Sequence, residues 1–332
     1  MTDAEAPLRA AFKVPASTTN LGPGFDSLGI ALQLYNRFEA RLSDAWSIEA
    51  AGEGAQSIMS QEYNLVRAAM EQVFAEAGRP DLAAHISCKN EVPVANGLGS
   101  SSTALVGGML VARELLRQLP DVKADVIPDD ARLFRLLSAA EGHPDNVAPA
   151  LMGGFTLCWL EPQEHDEAPA PAPAPTPYCL PLQPACGVAV VAVSSCHELR
   201  TSKARKVLPE EVSRADAVYN LSHNGLLIAA ILTGQAQALR YAMNDRLHEP
   251  YRAELIEDFA PLRQALLDAG ADGACLSGAG PTMVGLILDC DDAAALARAQ
   301  KVADALNQRQ VFPARLPARA LGIAREGALK EA

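Results

Sequence analysis

The sequence predicts an α+β protein of two domains. The chain has 332 residues, of which 49% are hydrophobic, and this length suits one large core or two ordinary cores, of which we expect two. Helical and strand patterns follow one another along both halves. Between the halves, residues 161–177 are acidic and then alternate Ala with Pro, a composition that cannot bury enough apolar surface to fold. We predict a first domain over residues 1–165, a flexible insertion or hinge over 166–178, and a second domain over 179–332.

The elements of the first half are predicted from apolar periodicity and from the residues that interrupt it. A helix over 64–77 is ended by the sequence Gly-Arg-Pro at 78–80, because neither glycine nor proline continues a helix well. Further helices are predicted where apolar residues recur at helical spacing, over 104–119 and 131–140. Strands are predicted over 11–14, 30–35, 38–48, 84–89 and 155–160.

The second half alternates strands and helices. The apolar run GVAVVAVS at 187–194 predicts a buried strand, and 273–282 is a glycine-rich turn between two strands. A local basic segment at 199–209 has the composition of a solvated helix face when it is judged on charge alone. The remaining predicted helices cover 212–232, 235–243, 255–269 and 293–306, and the remaining strands cover 283–288 and 318–324.

The glycine-rich residues 93–103, PVANGLGSSST, form the first candidate site because they lie between a strand and a helix. Glycine lets the backbone approach a ligand closely, and the first N–H groups of a helix have no partner within it. Such a loop favours an anion, above all a phosphate. It is not a Walker A loop, because Ser100 stands where that motif has lysine, so a metal ion and basic side chains from elsewhere would have to supply charge. The alternative is a plain Gly/Ser cap before a buried helix.

Two other polar segments are candidate sites. Residues 15–29 are dense in hydroxyls, glycines and prolines yet stand between apolar segments, which predicts a polar loop beside buried strands. In this loop Asn20 and Asp26 are able to orient a substrate hydroxyl or amine, although an ordinary turn with Asx caps is the alternative. The second segment, 141–150, places Glu, His, Asp and Asn within six residues. A structural histidine and solvated acidic caps are the alternative there.

Composition excludes several classes of function. The net charge is -12 with dispersed basic residues, which argues against a nucleic-acid surface. No apolar run reaches about 18 residues, and the first residues lack the basic-then-apolar pattern of a signal peptide. The seven cysteines form no CxxC pair and mostly lie in apolar runs, as reduced core cysteines do. We therefore expect a cytoplasmic protein that binds neither nucleic acid nor membranes.

Three glycine-rich stretches stand in a fixed order: PASTTNLGPGFD at 15–26, PVANGLGSSST at 93–103 and LSGAGPT at 276–282. Together they resemble the three motifs of the GHMP small-molecule kinases, and the resemblance spans nearly the whole chain. Within that superfamily the first motif, the segment EGHPDNVAPAL at 141–151 and Glu-Pro-Tyr-Arg at 249–252 resemble the homoserine kinase family.

The resemblance implies a GHMP kinase fold, with a ribosomal-protein-like amino domain and a ferredoxin-like carboxyl domain. It implies transfer of the γ-phosphoryl group of ATP, with Mg²⁺, to the side-chain hydroxyl of L-homoserine, giving O-phospho-L-homoserine for threonine biosynthesis. It also suggests a homodimer. Two rivals stay open: another member of the superfamily that acts on mevalonate, a phosphorylated isoprenoid or a sugar, and a non-catalytic sensor that binds ATP without turnover.

The resemblance also implies roles by position. Asn64 would lie near the adenine, and the nucleotide phosphates would be wrapped by Pro93, Val94, Ala95, Asn96, Gly97, Leu98, Gly99, Ser100, Ser101, Ser102 and Thr103. The Ser101 hydroxyl and the Glu141 carboxylate would hold Mg²⁺. The substrate's amino group and hydroxyl would be surrounded by Asn20, Asp26, His143 and Asn146, and its carboxylate would be bound by Arg205 and Arg252.

The sequence contains no clear Asp–Lys pair of the kind that some relatives use as a base. We hypothesise that Asp26 and Asn20 orient the hydroxyl, that its proton leaves late, and that Glu141 and His143 complete the catalytic set. Ser102 departs from the family, which usually has alanine after the paired serines, and this is a mild change.

Overall fold

The first sheet is built on a long antiparallel hairpin. The computed structural model describes residues 8–60, 64–162, 174–195, 199, 201–309 and 317–331. In it, β1 (Arg9–Asn20) pairs with β2 (Gly24–Ser43) along nearly its whole length. The sheet has the strand order β11-β1-β2-β4-β3, and β5 pairs with both β2 and β6. Its other strands are β3 (Ser47–Gly52), β4 (Ala83–Asn90), β5 (Phe155–Glu161), β6 (Thr176–Leu182) and β11 (Leu329–Glu331).

The prediction of a loop over residues 15–29 is wrong, because both arms of this segment are strand. The two strands meet at a tight turn in which Gly22 has φ +79 and a Cβ there would lie 2.6 Å from the carbonyl oxygen of Met243. Asn20 and Asp26 also have positive φ angles, of 69° and 54°, a conformation that Asn and Asp tolerate better than most residues. The polar side chains misled the prediction because they are buried against other loops rather than solvated.

Among the described residues of the first half, five helices pack over this sheet: α1 (Ala55–Ser60), α2 (Leu65–Glu76), α3 (Ser100–Gln118), α4 (Asp130–Glu141) and α5 (Pro144–Met152). The helices predicted over 64–77, 104–119 and 131–140 are confirmed, with α3 beginning four residues earlier than predicted. Helix α5 was not predicted. The segment it occupies begins His-Pro-Asp-Asn, which is typical of a loop, but proline is well placed at the first position of a helix.

The second sheet has the order β10-β7-β9-β8. Its strands are β7 (Gly187–Ser194), β8 (Gly273–Leu276), β9 (Thr282–Asp289) and β10 (Arg319–Gly322). The strand predicted at 187–194 is confirmed. A turn between two strands is confirmed within 273–282, but it is shorter than predicted, because residues 273–276 form β8 and residue 282 begins β9. The helices of this half are α6 (Thr201–Lys206), α7 (Arg214–Thr233), α8 (Leu239–Ala242), α9 (Glu249–Ala253), α10 (Phe259–Asp268) and α11 (Asp292–Arg309), with a 3₁₀ turn at Ala236–Ala238. The α+β class is thereby confirmed.

Two late segments join the first sheet. Strand β6 pairs with β5 from Phe155↔Leu182 to Glu161↔Thr176, and β11 pairs with β1. Of the flexible insertion predicted over 166–178, residues 166–173 lie outside the described residues, and 176–178 begin β6. The domain limits therefore stay a prediction.

The structure can be compared with two expectations from composition, on membrane spans and on cysteines. In the ranges that the structure describes, no helix is long and apolar enough to span a bilayer. Among the described cysteines, Cys88, Cys158 and Cys275 are buried and unpaired, as predicted for core thiols, whereas Cys290 is exposed.

Removing the ring of Phe74 tests the first core. Phe74 on α2 is 0% exposed and its ring centroid lies 6.2 Å from that of Trp46. We expect Phe74→Ala to lower the free energy of unfolding by about 3–5 kcal/mol, because it removes apolar contacts and leaves a cavity. Urea denaturation would measure the loss. As the control, Met59→Ala on α1, where the side chain is 53% exposed, should change stability by about 0.5 kcal/mol or less; equal losses would contradict the assigned core.

Candidate functional site

The three glycine-rich segments, far apart in sequence, meet at one place. The Ser17 N–H donates to the carbonyl of Leu98 at 3.2 Å, which joins the first segment to the second. The Gly278 N–H donates to the carbonyl of Thr19 at 3.1 Å, which joins the third to the first. The Ser277 hydroxyl lies 2.6 Å from the carbonyl oxygen of Gly97 and joins the third segment to the second. The segments therefore form one continuous rim.

Two glycines of the second segment are required by this packing. Gly97 has φ +77, and a Cβ there would lie 2.3 Å from the carbonyl oxygen of Ser277. Gly99 has φ +72, and a Cβ there would lie 2.2 Å from the hydroxyl oxygen of Ser17. Any side chain would both strain the backbone and push the segments apart, so these glycines serve loop contact as well as close approach to a ligand.

The rim surrounds a cleft of about 350 Å³ with two kinds of lining. The apolar lining residues, called here the apolar end, are Phe38, Ile58, Leu65, Val66, Cys88, Val94 and Ala104. The polar and charged lining residues, called here the charged end, are Asn20, Asp26, His143, Asp145, Asn146, Arg205 and Arg252, and several of them contact one another. The start of α3, from Gly99 to Ser101, also lines the cleft. This arrangement suits a ligand with a flat apolar part and an anionic part, next to a second, charged ligand.

The N-terminus of α3 presents unpaired donors to the cleft. Its N-cap is Gly99, which has no side chain with which to cap the helix, and the N–H groups of residues 100–102 have no protein acceptor in the described part of the chain. The Ser101 hydroxyl donates to Oε1 of Glu141 at 3.1 Å, and the buried Ser102 hydroxyl donates to the same oxygen at 2.9 Å. Glu141 is the last residue of α4, and Gly142 then turns the chain at φ +92.

These oxygens fit a divalent cation. Mg²⁺ takes oxygen ligands and usually keeps several waters, so it needs one or two protein groups beside the phosphates. A hydroxyl and a carboxylate provide such a pair next to the positive end of a helix, where phosphates would lie.

Asn64 both caps a helix and lines the cleft. Its side-chain oxygen accepts from the N–H groups of Val66 and Arg67, at 2.9 and 3.1 Å, and this is the N-cap contact of α2. Its place in the lining puts it at the apolar end of the cleft, with Leu65 and Val66.

At the charged end, two residues predicted to have separate roles are partners. Arg205 on α6 donates from Nη2 to Oδ1 of Asp26 at 2.9 Å and from Nη1 to Oδ2 at 3.1 Å. The Asn20 amide donates to the carbonyl of Gly278 at 2.8 Å, while its oxygen accepts from the N–H of Asp26 at 3.0 Å. Asn20 thus holds Asp26 and ties the first segment to the third.

His143 and Asp145 form a hydrogen-bonded pair beside Asp26. Nδ1 of His143 donates to Oδ1 of Asp145, whose side chain is 1% exposed. Burial lowers the pKa of His143, but the hydrogen bond and charge of Asp145, followed by the charge of Asp26, outweigh burial and leave it raised. One carboxylate oxygen each of Asp26 and Asp145 and one ring nitrogen of His143 lie within 4.8 Å of one another. Asp145 is absent from the predicted site set, although its place two residues after His143 could have indicated it.

Arg252 is a buried side chain that makes several hydrogen bonds within the site. It is 2% exposed and donates from Nη1 to the carbonyl of Gly278 at 2.9 Å and to Nδ1 of His248 at 3.1 Å, and from Nε to the carbonyl of Ala204 at 3.4 Å. Its Cζ lies 5.3 Å from the centroid of the Phe25 ring. Burial lowers its pKa, but a guanidinium stays charged in proteins.

The remaining predicted residue, Asn146, also lines the cleft. Its side-chain oxygen accepts from the Ser17 hydroxyl at 3.2 Å. The structure therefore brings together around one cleft all of the residues that the sequence analysis proposed for the metal and the substrate. It adds Asp145 to the lining and His248 beneath it, in contact with Arg252.

The chain matches known proteins over both halves. The family described as "GHMP kinases N terminal domain" matches residues 64–154, and the family "GHMP kinases C terminal" matches 227–309. A homoserine kinase from Trichormus variabilis is 39% identical over 299 residues, covering 88% of this chain and 90% of that protein. A homoserine kinase from Deinococcus radiodurans is 40% identical over 273 residues, covering 82% of each. The crystal structure of homoserine kinase from Cytophaga hutchinsonii shares the fold, with a TM-score of 0.77 over 100% of both chains at 24% identity.

Proposed function

Because the chain belongs to the homoserine kinase family of the GHMP kinases, we propose that its cleft transfers the γ-phosphoryl group of ATP to the side-chain hydroxyl of L-homoserine. The product is O-phospho-L-homoserine, on the route to threonine, and ATP and Mg²⁺ are the cofactors. The observation that carries the proposal is the cleft itself, in which the uncapped N-terminus of α3 opens into the same space as Asp26, Arg205 and Arg252.

The nucleotide occupies the apolar end of the cleft in this proposal. The adenine packs against Leu65, Val66 and their neighbours, beside Asn64, and the phosphates lie along the members of 93–103 that line the cleft, which are residues 94–97 and 99–101. The N–H groups at the start of α3 bind phosphate oxygens, supported by the helix dipole. Ser101 and Glu141 hold Mg²⁺, which supplies charge neutralisation at the phosphates.

The amino acid occupies the charged end. Its ammonium group lies among Asp26, His143 and Asp145, and its carboxylate is bound by Arg205 and Arg252. A zwitterion can bind between Asp26 and Arg205 and leave both charges matched, because its ammonium group pairs with Asp26 and its carboxylate pairs with Arg205. A hydroxy acid such as mevalonate lacks the ammonium group and would leave Asp26 short of a partner.

Positioning carries most of the proposed chemistry. Phosphoryl transfer passes through a loose transition state that needs alignment and charge stabilisation more than a strong base. Asp26 is held by Arg205 and by the N–H contact to Asn20, which suits an orienting group. The hydroxyl proton leaves late in this scheme, and no side chain is assigned as its base.

An ATP-dependent assay with L-homoserine, mevalonate and galactose in parallel tests the proposal. We expect phosphorylation of L-homoserine with kcat/KM at least about tenfold above that of either alternative, the difference that one hydrogen bond to a charged group contributes. A preference for mevalonate or galactose would contradict it, and ATP binding without turnover of any of the three would indicate a sensor.

For location and assembly we propose a cytoplasmic homodimer with no nucleic-acid or membrane partner. The net charge of -12 and the unpaired cysteines support this. Exposed Val218 and Leu221 on α7, with Tyr241, offer an apolar surface for a second copy. Sedimentation velocity should give twice the chain mass.

A further inference from the structure

His248 is buried beneath the site and touches two of its parts. Its side chain is 0% exposed. Nε2 lies 2.8 Å from the carbonyl oxygen of Gly22 at the tip of the β1–β2 turn, and Nδ1 lies 3.1 Å from Nη1 of Arg252. The ring also stacks on Phe25, with centroids 4.9 Å apart and planes at 19°. His248 therefore connects the first glycine-rich segment to the arginine that faces the substrate.

The two hydrogen bonds fix the protonation of the ring. A carbonyl oxygen only accepts, so Nε2 carries the proton; a guanidinium only donates, so Nδ1 carries a lone pair. A neutral ring with that tautomer satisfies both partners at once. The pKa of His248 is lowered to about 4, and burial is the largest cause of this shift. A ring with that pKa stays neutral near neutral pH.

The backbone of His248 is held as firmly as its ring. Oδ2 of Asp245 accepts from the N–H of His248 at 2.8 Å and from the N–H of Glu249 at 2.7 Å, and Asn220 on α7 donates to the other oxygen of Asp245 at 2.7 Å. The Glu249 carboxylate in turn accepts from the N–H of Leu276 at 2.6 Å. This buried layer gives the ring of His248 one position.

Arg252 depends on that position. Nη1 is shared between His248 and the carbonyl of Gly278, and Nε reaches the carbonyl of Ala204. Nη2 has no hydrogen-bond partner in the described part of the chain, and the residue lines the cleft. Three fixed acceptors therefore set the plane of the guanidinium and leave Nη2 for a ligand.

We infer that His248 is a positioning residue, which, as a neutral Nε2–H imidazole, directs Arg252 toward the carboxylate of the amino-acid substrate. The inference rests on the proposed function, because it takes that carboxylate as the ligand of Arg252. His248 touches neither substrate in this scheme and acts only through the arginine.

Two amide variants separate the two hydrogen bonds. In His248→Gln the terminal amide reaches the position of Nε2 and can donate to Gly22, but no acceptor remains at the position of Nδ1. In His248→Asn the shorter amide places its oxygen at the position of Nδ1, where it can accept from Arg252, and the bond to Gly22 is lost. Calorimetry with L-homoserine and with L-homoserinol, which lacks the carboxylate, measures what each bond contributes.

The Gln variant should bind L-homoserine about tenfold more weakly, the effect of weakening a hydrogen bond to a charged group, with unchanged affinity for L-homoserinol and unchanged KM for ATP. The Asn variant should keep the wild-type preference for L-homoserine. Equal losses for both ligands, or equal behaviour of the two variants, would overturn the inference. If the Gln variant does not fold, His248→Leu, which removes both bonds, carries the same expectation. A wild-type enzyme that does not prefer L-homoserine to L-homoserinol would instead contradict the proposed function.

Discussion

Replacing Ser101 with alanine is expected to lower turnover with Mg-ATP by about 10²-fold or more, the scale seen when one charge-stabilising group is removed from an active site. The Ser101 hydroxyl is exposed to the cleft and lies 3.1 Å from Glu141, so it is placed to hold the cation beside the phosphates. Steady-state kinetics over a range of Mg²⁺ concentrations measure the effect, and the variant should require more Mg²⁺ than the wild type.

The neighbouring hydroxyl is a matched comparison. Ser102 donates to the same carboxylate oxygen as Ser101 but is 0% exposed, so it cannot reach a ligand in the cleft. Ser102→Ala should therefore change turnover by less than about threefold, as expected for a single hydrogen bond of about 0.5 kcal/mol. Similar losses in the two variants would show that the serines act through Glu141 alone, and near-normal turnover of Ser101→Ala would contradict the metal assignment.

Replacing Asp26 with asparagine is expected to weaken L-homoserine binding and to lower kcat by comparable factors, about tenfold or more each, because hydrogen bonds to charged groups contribute about 1.5–3 kcal/mol. The neutral amide can match neither the ammonium group of the substrate nor the charge of Arg205, which now donates to Asp26 from both ends of its fork. Initial-rate kinetics with both substrates varied would separate the two effects.

The outcome also decides the role of Asp26. A fall in kcat much larger than the loss of affinity would mean that Asp26 removes the hydroxyl proton, and the orienting role would be wrong. The control is Asp216→Asn, which removes the partner of Arg246 on the exposed side of α7 at 3.4 Å. Both changes remove one carboxylate from an arginine, and the control should leave the kinetics unaltered.

The regular elements were predictable where local periodicity agrees with tertiary packing. The strand at 187–194 is a continuous apolar run, and α2 has a capping Asn64 and a Gly-Arg-Pro stop. The failures have local causes. The hairpin at 15–29 and helix α5 were missed because they are rich in hydroxyl, Gly and Pro residues, which usually indicate loops. In this fold those residues make contacts with distant segments instead.

The chemistry of the site was predictable one segment at a time, but its pairings were not. Asp26 and Arg205 are 179 residues apart, and nothing local in either segment shows that one meets the other. His248 could have been found, since it precedes Arg252 by four residues, the spacing that places two side chains on one face of a helix. Asp245, which holds the backbone of His248, is visible only in three dimensions.

The pairing of β11 with β1 has a consequence for synthesis. Strand β1 ends at Asn20, yet its partner along one edge, Leu329–Glu331, follows about 310 residues later and is therefore synthesised long after it. At about 5–20 residues per second, that edge of β1 stays open for tens of seconds, with unpaired N–H and C=O groups that can attract another nascent chain. The residues before β11 also contact β2, because the N–H of Ala324 donates to the carbonyl of Ala31 at 3.0 Å. Newly made chains should therefore depend on chaperones or on dilution until β11 has been synthesised, even though the glycine-rich segments of the first half have been complete since residue 103.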